Sequence, residues 1–422
     1  MGEPVNYAKT IRTCYLSSCC MSVIVNLPPL LFVLLSGRYG INLERLGRLI
    51  LINFFTQLIV DGIAARLADR IGYRRCLVAA HLLAALGLIG YGLLPQILPT
   101  GAAYAGLCLA TVVFSVGGGL IEVLVSPVVD RLTGHLGAGP MALLHSCYCW
   151  GQVATVLLST LALRWMPERL WYLLPLCWAV LPIVATRGFA SAPLPETHAE
   201  KSGANFARLL RTPRFWLAFA TMAFSGAAEI AMAQWSSLFA EWGIGVDKLT
   251  GDLLGPCLFG LCMAAARTVY GKFENKFPLR PFLFWGGAAC VACYLAAGLS
   301  GNPALALFAC ALTGMTVALM WPGTLHESAQ RFPEGGTALF GLLALGGDAG
   351  CAAGPWLLGL LADRGAAKDI RFPFGLHGAL PARQRGLRLA LLAGTVFPLG
   401  FLVCVALERH SGRGEKLRAA EV

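Results

Sequence analysis

Gly119-Leu120-Ile121-Glu122-Val123-Leu124-Val125-Ser126-Pro127 and Gly314-Met315-Thr316-Val317-Ala318-Leu319-Met320-Trp321-Pro322 share one pattern, a glycine followed by a proline eight residues on. Beyond the next loop, Gly151 lies 24 residues past Pro127 and Gly346 lies 24 past Pro322. A register that survives a loop is a parallel internal repeat. Two halves with equivalent positions imply a pseudo-two-fold axis along the membrane normal, with a substrate site expected between the halves near the midplane. The repeat also isolates a difference. Glu122 in the first copy corresponds to Val317 in the second, so the fold itself does not need an acid there. That makes Glu122 a functional candidate.

Both copies sit in long apolar runs, and the composition extends that reading to the whole chain. Of 422 residues, 57% are hydrophobic and 13% are charged, about half the usual charge of a soluble domain. Mean hydropathy is +0.67. There is too little charge to cover the surfaces of two or three soluble domains, and too much apolar side chain for disorder. The 49 glycines and 23 prolines are compatible with membrane helices. The net charge of +11 is assigned to topology and not to nucleic acid, because basic residues hold cytoplasmic loops inside.

A crossing helix needs about 20 apolar residues. Twelve such segments are expected: 12–36, 46–67, 76–95, 101–126, 140–163, 170–190, 214–240, 250–270, 281–300, 303–325, 336–361 and 387–408. With the N-terminus inside, 21 of the 33 Lys and Arg fall on inner segments, Arg267 among them, and 12 on outer ones. Six of the outer charges lie between Arg364 and Arg388, an exception to the rule. Both termini are expected in the cytoplasm of a multi-pass cell-membrane protein. Residues 191–213, with Ala192-Pro193-Leu194-Pro195-Glu196, read as a cytoplasmic linker. It separates a six-helix bundle over 1–190 from a second over 214–422 that carries a cytoplasmic tail. The fold class is therefore all-α integral membrane, two six-helix bundles related by a parallel repeat.

Most of the fifteen cysteines lie in apolar runs, where cysteine packs as a small hydrophobe. Cys290-Val291-Ala292-Cys293 has metal-knuckle spacing but no second pair, so no metal is expected. No cofactor is expected either. No nucleophile–base motif or phosphate loop is visible, so no catalytic residue is assigned.

Acids inside apolar spans are expensive, costing roughly 2.5–3.5 kcal/mol at a helix centre on insertion scales, and such residues mark function. Glu122 and Glu229 are the two proton-site candidates. Gln234 and Trp235 follow Glu229 by about a turn, and the indole offers an apolar face to a sugar ring. His145, Cys149 and Gln152 share one helix face. Gln152 suits sugar hydroxyls because an amide donates and accepts at once. Asn26 gains weight beside Pro28-Pro29, and Asp348 lies among glycines in span eleven. Asn53, Gln57 and Asp61 are read as structural, and His326 and Glu327 as gate or surface residues.

The loop Ala65-Arg66-Leu67-Ala68-Asp69-Arg70-Ile71-Gly72-Tyr73-Arg74-Arg75 resembles the signature loop of the major facilitator superfamily. Within that family the chain is similar to the fucose–glucose/galactose proton symporter branch. The similarity lies in Gly119-Leu120-Ile121-Glu122 with Ser126-Pro127, Gly226-Ala227-Ala228-Glu229 with Gln234-Trp235, Met320-Trp321-Pro322 and Gly346-Gly347-Asp348-Ala349-Gly350. The resemblance implies proton-coupled sugar uptake with the span-four acid in coupling. The substrate-binding candidates are Asn26, His145, Gln152, Gln234, Trp235, Trp321 and Asp348, and the gate candidates are Asp69, Arg70, Arg74 and Arg75. The implied partners are a small molecule such as a sugar, protons and the bilayer, for a monomeric carrier. One departure is that the first span has Asn26-Leu27-Pro28-Pro29 and no acid, which keeps an uncoupled facilitator open. Efflux of amphipathic compounds is the other alternative, although span four lacks the arginine and span five the glycine–proline run of drug antiporters. A receptor or scaffold that kept the carrier fold is a third.

Overall fold

The computed structural model describes residues 6–41, 43–133, 136–195, 202–240, 245–367 and 381–420. Regular structure among them is helical, without a strand. Among the described residues, eleven helical stretches are long and apolar enough to cross a bilayer: Ala8–Leu30, Tyr73–Ile97, Thr100–Thr133, Gly139–Trp165, Leu173–Ser191, Pro213–Ser236, Leu249–Lys276, Leu279–Leu299, Pro303–Arg331, Gly336–Ala362 and Gln384–Glu408. They cover eleven of the twelve expected spans. The second expected span is the helix Leu43–Ile71, whose 29 residues reach about 43 Å at 1.5 Å per residue. The chain is an all-helical integral membrane protein. Spans are numbered below in chain order, with Leu43–Ile71 as span two.

The outer faces fit lipid. Leu51, Phe55, Leu86, Trp285 and Trp356 are exposed to between 59% and 69%. In water such a surface would aggregate, whereas in a bilayer it is the solvated face.

Proline explains where the spans break. A proline has no amide to give the carbonyl four residues earlier, and its ring crowds that carbonyl. Span six is interrupted between Trp178 and Val180, four residues ahead of Pro182. Span ten stops at Val317 and resumes at Met320, so that Ala318, four before Pro322, lies in the gap. Span twelve pauses after Gly394, four before Pro398. Span four, by contrast, runs unbroken through Pro127. The two copies of the repeat therefore share a proline but not a break.

The repeat glycines make equivalent contacts in the two copies. A Cβ on Gly119 would lie 3.0 Å from Val60 Cβ, and one on Gly314 would lie 2.1 Å from the carbonyl oxygen of Phe259. Span four thus meets span two closely, and span ten meets span eight. A Cβ on Gly151 would lie 3.0 Å from Cys19 Cα, and one on Gly346 would lie 3.0 Å from the Phe219 oxygen. Span five meets span one, and span eleven meets span seven. The spacing read in the sequence is a spacing of close helix crossings, where small residues let backbones approach.

Contacts divide the chain into two units: Met1–Leu209 with Ala329–Leu345, and Leu210–Ser328 with Gly346–Val422. In the first, Trp171, Tyr91 and Phe114 are fully buried with Leu27, Leu31 and Leu107. In the second, Phe215, Phe259, Phe401 and Tyr294 are fully buried.

Candidate functional site

In the first unit, polar side chains collect on the inner faces of spans one, two, four and five. Gln57 donates to Asn53 Oδ1 at 2.8 Å, and Ser115 on span four lies 2.6 Å from the same oxygen. Asn53, Gln57 and Asp61 are buried, and Gly119 packs directly against Asp61. Glu122, one helical step from Gly119, is half-buried. On span five Gln152 is 5% exposed and His145 is half-buried. Cys149 between them is buried and bonds its sulfur to His145 O at 3.3 Å. Asn26 is half-buried, and its amide nitrogen donates to Ser22 O in the preceding turn at 2.8 Å. Its side chain therefore serves its own helix ahead of the Pro28-Pro29 pair.

The signature loop has a defined structural use. Arg74 donates from Nη1 to the carbonyls of Phe189 at 2.8 Å and Ala190 at 2.6 Å, and from Nη2 to Ala192 O at 2.8 Å. These carbonyls lie at the end of span six, where a helix has no amides left to offer. A forked guanidinium suits several of them at once. Arg70 and Arg75 are exposed, and the side chain of Asp69 lies outside the described residues. Gly72 takes φ +95, which turns the chain from span two into span three.

Tyr73 within this loop meets Thr337 and Arg131, a meeting that no spacing in the sequence indicates. Tyr73 is 2% exposed, its hydroxyl lies 2.6 Å from Thr337 Oγ1, and the Arg131 guanidinium stacks 5.1 Å from its ring centre. Only a contact between distant segments selects them. His81 is a similar case. It is buried, with Nε2 2.7 Å from Ser17 Oγ and Nδ1 2.7 Å from Leu77 O. Since Leu77 O can only accept, Nδ1 carries the proton and Nε2 accepts from Ser17.

The second unit holds the other intramembrane acids. Glu229 on span seven is 7% exposed, and its Oε2 accepts from Arg267 Nη2 of span eight at 3.0 Å. Arg267 is 2% exposed and donates its Nε to Ala318 O at 2.6 Å. The sequence reading counted Arg267 among inner-segment charges, and the structure corrects this. It also counted Arg388 in the outer loop, but Arg388 is 4% exposed, donates to Ser300 O and stacks 5.9 Å from the Phe239 ring. Hydrogen-bond partners inside the bundle retain both guanidiniums against their hydration. One charge leaves each side of the count, so the bias keeps its sign.

Asp348 is 2% exposed on span eleven. Trp321 is 9% exposed and packs on Gly347, the neighbour of Asp348. Trp235 is half-buried and donates its indole N–H to Pro355 O at 3.2 Å, with its ring against Gly359. Gln234 is exposed. The candidates thus fall into a first-unit group of Asn26, Glu122, His145 and Gln152 and a second-unit group of Glu229, Trp235, Trp321 and Asp348. No cluster of three or more His, Cys, Asp or Glu able to hold a metal occurs among the described residues.

Comparison with known proteins gives the following. The sequence matches the family described as Major Facilitator Superfamily over residues 14–355. No curated protein matches the chain by sequence. Among solved structures, FucP, the E. coli fucose:proton symporter, in its outward conformation aligns with TM-score 0.76 at 14% identity, over 95% of this chain and 99% of its own. The proton:xylose symporter XylE bound to 6-bromo-6-deoxy-D-glucose aligns with TM-score 0.77 at 10% identity, over 94% of each chain. The human organic anion transporter MFSD10 aligns with TM-score 0.71 at 13% identity, over 96% of this chain and all of its own. At these identities the likeness is one of fold.

Proposed function

The chain belongs to the major facilitator superfamily and is a multi-pass membrane transporter, and from that premise we propose that it takes up a sugar or a similarly polar small molecule together with a proton, by alternating access. The observation that carries this reading is the set of polar side chains inside apolar spans of one unit: the buried Gln152 with the half-buried His145 and Glu122. Groups that donate and accept suit hydroxyl-rich cargo, and an acid tolerated in a membrane suits a proton site. The similar structures of fucose and xylose proton symporters lean the same way.

In this reading Glu122 is the lead candidate for the proton site, and Glu229 is the second candidate. Asn26, His145, Gln152, Gln234, Trp235, Trp321 and Asp348 meet the cargo, and Asp69, Arg70, Arg74 and Arg75 belong to the gate. The bundles are 1–190 and 214–422, both termini are cytoplasmic, and the carrier works as a monomer in the cell membrane. Uptake of labelled sugars into membrane vesicles tests it, after a thermal-shift screen of sugars, nucleosides, amino acids and drugs has chosen the cargo. Accumulation should follow an imposed pH gradient and be lost in Glu122→Gln. Sugar uptake that ignores pH and survives the substitution reduces the carrier to a facilitator. Binding and export of amphipathic compounds with no sugar response replaces the reading by efflux.

A further inference from the structure

We propose that Arg267 is a positioning residue that braces the break in span ten and fixes Glu229 as its counter-ion, so that the transported proton rides on Glu122 and not on Glu229. The last clause rests on the proton-coupled reading above, whereas the brace does not.

The argument starts from Pro322. Lacking an amide, it leaves the carbonyl of Ala318 without its helical donor, and the helix is interrupted there. A carbonyl left without a partner inside a membrane protein is costly, so another group must supply the bond. Arg267 does so with Nε at 2.6 Å. Its positive charge is buried at 2% exposure and needs an anion, which Glu229 supplies at 3.0 Å from Nη2. One guanidinium thus ties spans seven, eight and ten at a single point. Arginine fits this task because its donors are fixed in a plane and diverge.

The elements packed on span seven offer few competing groups. Span nine contributes Tyr294, which donates to Ala228 O at 2.8 Å. Span ten contributes Thr313 and Thr316, each bonded to its own helix backbone at 2.8 Å. Span twelve contributes Cys404 and the buried Arg388, which stacks on Phe239 just past span seven, and span eleven carries the buried Asp348. The Glu229 carboxylate already serves as counter-ion to an adjacent buried cation, and breaking a buried pair is costly. The repeat adds an independent point. Span four, the counterpart of span ten, stays continuous through its proline. The broken copy has an arginine bonded to the freed carbonyl.

The test is a set of variants in purified, reconstituted carrier. Arg267→Met removes both bonds and should lower the thermal midpoint most. Pro322→Ala returns an amide to Ala318 O, so adding it to Arg267→Met should recover part of that loss, since it restores the bond to that carbonyl. Adding it to Glu229→Gln, which leaves the Ala318 bond intact, should recover none. Equal effects of Pro322→Ala in both backgrounds would overturn the brace. Should Arg267→Met be too unstable to purify, the folded fraction in membranes with and without Pro322→Ala gives the same comparison. For the proton, exchange of labelled cargo is measured beside gradient-driven accumulation. Glu229→Gln should slow both to a similar extent, and Glu122→Gln should abolish accumulation while exchange persists. Accumulation lost in Glu229→Gln with exchange intact would make Glu229 the carrier and refute the assignment. Accumulation insensitive to pH in the unaltered protein would remove proton coupling itself and leave the brace to stand or fall on the midpoints.

Discussion

The indole of Trp321 occupies the space that a side chain on Gly347 would need, since a Cβ there would lie 2.2 Å from Trp321 Cη2. Trp321 follows the break in span ten, and Gly347 precedes Asp348 on span eleven. The packing of this one ring therefore sets the spacing of two spans that both carry candidate residues. Gly347→Ala should force the ring out and cost about 1–3 kcal/mol, the usual penalty of overpacking. Tryptophan emission and the thermal midpoint should shift together, and an unchanged spectrum would contradict this placement.

The repeat glycines differ in what they face, which ranks their substitutions. A Cβ on Gly314 would lie 2.1 Å from a backbone oxygen, which cannot rotate away. One on Gly119 would lie 3.0 Å from Val60 Cβ and 3.1 Å from an Asp61 oxygen, distances that a shift of a few tenths of an ångström relieves. Gly314→Ala should therefore reduce folded yield severely, and Gly119→Ala mildly. Expression and size-exclusion profiles of the two, compared side by side, decide the order.

Arg74 and Arg75 are adjacent in the sequence and unequal in the structure. Both are exposed, but Arg74 closes the end of span six through three carbonyls. Arg74→Ala should lower stability by about 1–3 kcal/mol, the scale of charge-assisted bonds to carbonyls, and Arg75→Ala by less than about 0.5 kcal/mol. Thermal melts of both variants in one detergent check this.

Tyr73→Phe removes only the hydroxyl that meets Thr337. Its expected cost is about 0.5–1.5 kcal/mol, typical of one neutral hydrogen bond. Thr337→Val should cost a similar amount, and the double variant should cost little more than either alone. Additive losses would show that the two groups do not act as a pair.

The legibility of the chain was uneven for physical reasons. All twelve spans were readable because a bilayer demands a long apolar run from each crossing helix, and such a run is local in sequence. The repeat was readable because close helix crossings need small residues at fixed places, which Gly119, Gly151, Gly314 and Gly346 supply. Glu229 was readable as an acid in an apolar span. Its partner was not, since an arginine near the end of a hydrophobic segment looks the same whether it faces a loop or turns inward. Gln234 and Trp235 looked like neighbours in role, yet Gln234 is exposed while Trp235 bonds the backbone of span eleven.

The sequence by itself thus determined that this is a twelve-span membrane protein built as a repeat, with acids set at cost in spans four and seven. Those features follow from solvation and helix geometry, which act along the chain. Only the tertiary structure decided that Arg267 and Arg388 lie inside the bundle, that the Pro322 break is answered by a side chain, and that Arg74 caps another span. Each of these depends on which orphaned carbonyl or charge meets which donor across helices far apart in sequence. A buried polar group must be satisfied by something nearby, and what is nearby is settled by packing alone.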